Sequence, residues 1–229
     1  DMGESRLAGA GIFLLNEGAT LVTALAGGVE EVFRDVTGTV TLPAGSSYGF
    51  NGTVAQVTST RMPTLVGNLL IANPQGVVLS QATTINGVLR LVAGEFDNTI
   101  PFVLGPQGQI SYEGGSLKVP LVVTEYRSVK SGDWSQASTW EGLVVDRWMA
   151  VPSAPRGTEK ITVDGTDTVR VDIPVEIGGY LKVQDNGMVE VTGGSLTFGD
   201  GSTYEHARDG GSVPLATWQE GSTFLLTGT

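Results

Sequence analysis

Apolar and polar residues alternate along this chain in short runs, with almost none of the longer rhythm of an amphipathic helix. Residues 37–42, 77–80, 88–92, 109–112, 116–119, 188–192, 195–198 and 223–226 each carry Val, Leu, Ile, Thr or aromatic side chains at alternate positions. Such runs predict strands. Only residues 28–33 suggest a helix, and no more than one turn of it. Glycine punctuates the runs at a fixed interval. Gly38, Gly45 and Gly52 lie seven residues apart, as do Gly87 and Gly94, Gly108 and Gly115, and Gly187, Gly194 and Gly201. Seven residues is about one short strand and a tight turn. Three such units make about twenty residues, one coil of a parallel β-helix, within the period range of solenoids.

The physics of a solenoid fits this spacing. Each face needs inward apolar residues at alternate positions, and each corner needs a residue that tolerates positive φ. Asn16-Glu17-Gly18, Asn51-Gly52, Asn86-Gly87 and Asp185-Asn186-Gly187 suit the corners. Leu89, Leu91, Ile110, Leu117, Val119, Val189, Val191, Leu196 and Phe198 are the expected inward set. Asn-Gly also marks two-residue hairpins, which would give an antiparallel sandwich. A constant seven-residue interval is unusual for Greek-key loops, so the all-β solenoid is the favoured reading.

The rhythm stops near residues 124–155, where Trp134, Trp140 and Trp148 fall close to Pro152 and Pro155. Three of the four tryptophans in one short stretch predict an aromatic plug, a satellite core of its own. The expected organisation is a first β-helical module over 1–124, a Trp-rich linking or capping segment over 125–160, and a second module over 161–229.

Composition narrows the chemistry. Of 229 residues, 24 are acidic and 13 basic, for a formal charge of −11. That balance repels phosphate backbones and excludes nucleic acid bound through a basic surface. With no cysteine, disulfides, thiolate metal sites and cysteine nucleophiles are excluded. No apolar run is long enough to span a membrane as a helix. The first residues lack the basic flank and cleavage pattern of a secretory signal. The chain also opens without an initiator Met and closes within a strand-like pattern, which reads as a fragment of a longer protein.

Candidate chemical groups are few. Asp164, Asp167 and Asp172 cluster around Arg170, and paired carboxylates on stacked coils are what glycoside hydrolysis uses. Asp164-Gly165 reads as a turn, however, and Asp172 precedes Ile173-Pro174 at a strand end, so solvated turn residues are the expectation. His206 is the only histidine, and Asp209 nearby would be its orienting partner in a general base. No Gly-x-Ser-x-Gly elbow accompanies it. Asp185-Asn186-Gly187 and Gly199-Asp200-Gly201 read as turns before ion sites, and neither calcium repeat pattern occurs. Gly27-Gly28, Gly114-Gly115 and Gly210-Gly211 lack the Lys-Ser/Thr of a phosphate loop. No catalytic, cofactor or metal residue is therefore assigned.

Residues 9–21, 48–58, 66–80 and 84–89 resemble the coils of large secreted surface proteins of Bacteroidetes. Gly132-Asp133-Trp134-Ser135 with Ser138-Thr139-Trp140 is similar to the lead-in of a second β-helical module in that group. Residues 201–206, 210–214 and 216–218 are similar to its later coils. Residues 144–149 depart from the pattern, since a bulky run replaces a short Gly/Pro link. The resemblance implies a right-handed parallel β-helix, export by the type IX secretion machinery, and a place at the cell surface or outside the cell. It implies an adhesin-like, non-catalytic structural segment, with a surface polysaccharide or protein as ligand. The alternative is a carbohydrate-active β-helix enzyme or a carbohydrate-binding module, which a cleft with two carboxylates and an aromatic shelf would favour.

Overall fold

In the computed structural model, which describes residues 1–144 and 147–228, the chain is a β-solenoid of about 8 turns, with 4% of residues helical. It divides into two compact units, Asp1–Pro120 and Leu121–Thr229. In each unit the strands of successive coils stack in parallel, so the hydrogen bonds run from coil to coil.

The first unit has three main stacks, besides two parallel pairs, Ala8–Gly9 with Asp35–Val36 and Phe13–Leu14 with Val40–Thr41. The widest joins Thr20–Thr23, Ser47–Phe50, Leu69–Ala72, Val88–Ala93 and Gln109–Tyr112. A second joins Gln56–Val57, Val77–Val78, Glu95–Asp97 and Ser116–Leu117, and a third joins Leu65–Val66, Thr83–Ile85 and Phe102–Leu104. The coil length is read directly from the register. Leu69 pairs with Leu89, twenty positions on, and Leu89 with Ile110, twenty-one on. Tyr48, Leu69, Leu89 and Ile110 thus form one inward column, and all four are buried. The predicted helix is the single turn Gly28–Val32, and its Val29 and Val32 are buried with Phe33.

Glycine does its corner work most visibly at Gly94. Its φ is +73°, and a Cβ there would lie 2.0 Å from the Asn73 carbonyl oxygen of the coil before. Only glycine meets both conditions.

Polar groups are also stacked inside this unit, and the apolar pattern did not announce them. Gln56 and Asn73 are buried. The Gln56 amide donates to the Thr23 and Leu25 carbonyls, and its oxygen accepts from the Gly52 amide. Asn73 donates to the Val54 carbonyl, and its oxygen accepts from the Gln75 amide. Between them they pair the Gly52 and Gln75 amides and the Val54 carbonyl, and add a second bond to the Thr23 and Leu25 carbonyls.

The second unit repeats the scheme. Glu125–Ser128, Lys160–Val163, Tyr180–Gln184, Thr203–Ala207 and Thr223–Leu226 stack in parallel. Gly132–Asp133, Thr168–Val171 and Met188–Val191 form a second stack, and Pro174–Ile177, Ser195–Phe198 and Thr217–Trp218 a third. Ile161, Val163, Val169, Val171, Ile177, Leu181, Leu196, Phe198 and Tyr204 fill the core between them. The antiparallel pairings among the described residues are two, the hairpin of Trp140–Val144 with Arg147–Ala150 and the pairing of Trp140–Val144 with Glu125–Ser128. Of the bulky run over 144–149, Val145 and Asp146 lie outside the described residues, as does Thr229.

The structure departs from the sequence reading in three places. Val119 is 47% exposed because its strand ends at Leu117, and its backbone instead bonds the Asn98 side chain. Leu117 and Val191 are only partly buried. The tryptophans do not form one plug. Trp134 and Trp140 meet edge-on at 5.0 Å in the core, with the Trp134 indole N–H donating to the Pro155 carbonyl. Trp148 stands apart on the hairpin, with the Arg127 guanidinium 4.6 Å from its ring centre. Finally, Glu125–Ser128 and Gly132–Asp133 of the Trp-rich segment are coil strands of the second unit rather than a link before it.

Candidate functional site

Side chains alternate across a strand, so the widest stack of the second unit shows every other residue to the outside. Lys160 and Thr162 of one coil lie beside Tyr180 and Lys182 of the next, and Lys182 beside Glu205. Asp164 and Gln184 continue the rows, and the Gln184 amide donates to the Asp164 carboxylate at 2.9 Å. Arg127 contributes from the coil before, opposite Thr162. The hairpin raises Trp148 along the edge of this surface. Together these nine residues line a groove of about 520 Å³.

The groove's groups are fixed by one another. Arg127 holds Glu141 at 2.7 Å while it packs on Trp148, which sets the indole's orientation. The Tyr180 hydroxyl donates to Glu205, which also accepts from the Thr227 hydroxyl at 2.7 Å and faces Lys182. Lys160 reaches Glu125 at 3.0 Å. Such mutual bracing lowers the entropy lost when a ligand settles.

Its carboxylates are poised to remain ionised. The Gln184 amide is the main cause that lowers the Asp164 pKa. Burial pushes Glu205 up, but the Tyr180 and Thr227 hydroxyls and Lys182 more than reverse it, leaving a net fall. A glycosidase acid needs the opposite shift. Tyr180 is pushed up to about 12, by burial first and by its bond to Glu205 next.

The structure separates the aspartates that the sequence groups together. Asp164 lines the groove, whereas Asp172 is tied to the Ser135 amide at 3.0 Å and hydroxyl at 2.5 Å. Burial raises the Asp172 pKa, but the Ser135 bonds and Arg170 leave it lowered overall. Arg170 pairs with Asp133 at 2.7 Å, and the Asp167 amide closes the turn onto the Asp164 carbonyl. His206 is buried. Its Nε2 lies 2.9 Å from the Gly210 carbonyl, which can only accept, so the proton sits on Nε2. Nδ1 then accepts from the Tyr204 hydroxyl at 3.0 Å. Both ring nitrogens are committed to structure. Among the described residues no three His, Asp or Glu side chains are grouped to hold a metal ion.

Sequence reading missed the groove. The signal was present in the coil period, since 160 and 180, 162 and 182, and 164 and 184 share a face twenty residues apart. Glu205 follows Lys182 by twenty-three, so a strict period misses it. Comparison with known proteins finds no matching family model, no matching curated protein and no matching solved structure.

Proposed function

We propose that this chain is a non-catalytic structural and adhesive segment of a large secreted bacterial surface protein, exported by the type IX route. The observation that carries the reading is the parallel stacking, within each unit, of coils that mostly run to about twenty residues. Such a stack buries a core along each unit while its outer faces stay free to vary. Its load is borne by hydrogen bonds running from coil to coil, which suits a spacer that holds a contact surface away from a cell. The acidic excess keeps such a surface hydrated and discourages clumping.

The groove fits attachment better than turnover. Its carboxylates are stabilised as anions, and the one histidine of the chain is spent on the Tyr204 and Gly210 contacts. Antibodies raised against the chain should label intact cells of the source bacterium. Removing the type IX translocon should shift the antigen to the periplasm. Antigen confined to the cytosol of unmodified cells would overturn the proposal.

A further inference from the structure

We infer that the groove across Lys160–Val163, Tyr180–Gln184 and Glu205 binds an extended, neutral, β-linked oligosaccharide lying across the strands, with Trp148 as its apolar plate. This names the ligand of the adhesive function proposed above and rests on that reading.

The chemistry of the lining leads to this class. A sugar offers hydroxyl pairs that both donate and accept, and a ring face of C–H groups. Recognition therefore calls for alternating donors and acceptors beside an aromatic surface. The groove supplies Thr162, Gln184 and Lys182 next to Asp164 and Glu205, with Tyr180 between them. A carboxylate can accept about four hydrogen bonds. Asp164 and Glu205 thus keep acceptor capacity beyond the bonds that brace them.

Charge decides against an acidic glycan. Arg127, Lys160 and Lys182 are the three cations of the lining, and each faces a carboxylate, Glu141, Glu125 and Glu205 respectively. The lining itself holds these three cations and two carboxylates, Asp164 and Glu205. Adding the partners Glu125 and Glu141 brings four acids against three bases, in a chain whose net charge is −11. A polyuronate would meet repulsion at long range and would find each cation of the groove already paired with a carboxylate.

Geometry sets the direction. Parallel strands recur every ~4.8 Å, close to the length of one pyranose unit in an extended chain. A β-linked glycan crossing the strands would place successive sugars over successive coils and end against Trp148. One face of that indole is already covered by Arg127, and the residue remains partly exposed along the groove.

The test is isothermal titration of the full chain with cellohexaose, β-1,4-mannohexaose, β-1,4-xylohexaose and oligogalacturonate. At least one neutral hexamer should bind, and oligogalacturonate more weakly or not at all. Trp148→Ala should weaken binding by about tenfold or more, and Gln184→Ala by a smaller factor. Circular dichroism should show both variants folded, and Gln184→Ala serves alone if Trp148→Ala is not. The inference is overturned if no neutral hexamer binds, if oligogalacturonate binds more tightly, or if the folded variants match the parent. Surface labelling of cells is scored separately, so loss of one result leaves the other legible.

Discussion

The side chain of Asn73 donates to Gln56 at 2.9 Å from one coil to the coil before, with both residues buried in the first unit. Gln56 in turn serves the Gly52 amide and the Thr23 and Leu25 carbonyls. Removing it strands the Gly52 amide, while the Thr23 and Leu25 carbonyls keep the Asn51 and Gly28 amides and Asn73 keeps the Val54 carbonyl. Such an orphan costs about 1–3 kcal/mol.

Gln56→Ala should therefore destabilise the first unit by about 1–3 kcal/mol. All four tryptophans, at 134, 140, 148 and 218, lie in the second unit. Urea unfolding followed by far-ultraviolet dichroism should show the loss, while the tryptophan fluorescence transition should hardly move. Equal shifts by both probes would mean that the damage is not local to the first unit.

Burial separates two residues that alternation alone treats alike. Leu196 is 2% exposed and Val119 is 47% exposed. Leu196→Ala should cost about 2–5 kcal/mol, and Val119→Ala about 0.5 kcal/mol or less. Denaturant midpoints of the two variants decide it, and a comparable loss at both would refute the inward register.

All five tyrosines have raised pKa values. Tyr48, Tyr112 and Tyr204 are pushed to about 12 by burial, Tyr180 to about 12 by burial and Glu205, and Tyr126 upward chiefly by burial. The ordinary value is 10.0. A group raised on folding stabilises the fold below its unfolded pKa, and this is lost as pH climbs through the folded value. Tyrosinate absorbance should stay low at pH 10 in the native protein and appear on adding urea. Stability should fall between pH 10 and about 12. Ordinary ionisation near 10 in the native state would contradict the burial of these rings.

On the acid side the sign reverses. Lys118 and Thr99 hold Asp97 down to about 2, and Arg90 and Ser111 hold Glu113 down to about 2, from 3.8 and 4.5. These contributions are present above the unfolded values and vanish as pH falls through the folded ones. Both groups are solvent-exposed, so screening keeps the effect modest. Urea midpoints should decline from about pH 4.5 toward 2, and added salt should shrink the decline. A midpoint flat over that range would show that these pairs contribute nothing.

The coils were legible because two independent signals agreed. The interval from Gly187 to Gly194 gave the length of a face, and alternation in residues 195–198 gave its inward side. Gln109–Tyr112, Ser195–Phe198 and Thr223–Leu226 are strands with the expected bounds. Val119 misled because alternation has no memory of where a strand stops. Trp148 misled because closeness in sequence says nothing about which side of a hairpin a ring takes. The groove escaped notice because its members, from Arg127 to Glu205, are scattered over some eighty positions and meet only once the coils stack. The buried Gln56–Asn73 pair had no signature, since a polar residue beside a glycine corner reads as surface.

Tyr126 pairs with Ile161, thirty-five positions on, whereas Ile161 pairs with Leu181 after only twenty. The coil that carries the hairpin is thus fifteen residues longer than its neighbour, yet the columns above it remain in step. Extra chain leaves at a corner, makes its own pairing and returns to the same rung. The stack behaves like shelving whose uprights are indifferent to what stands on each board. Variation at the outward positions of the hairpin, Trp148 among them, can reshape that wall of the groove while Trp140, Val144 and Met149 stay buried. What such a surface recognises can thus change while the residues that hold the hairpin to the core do not.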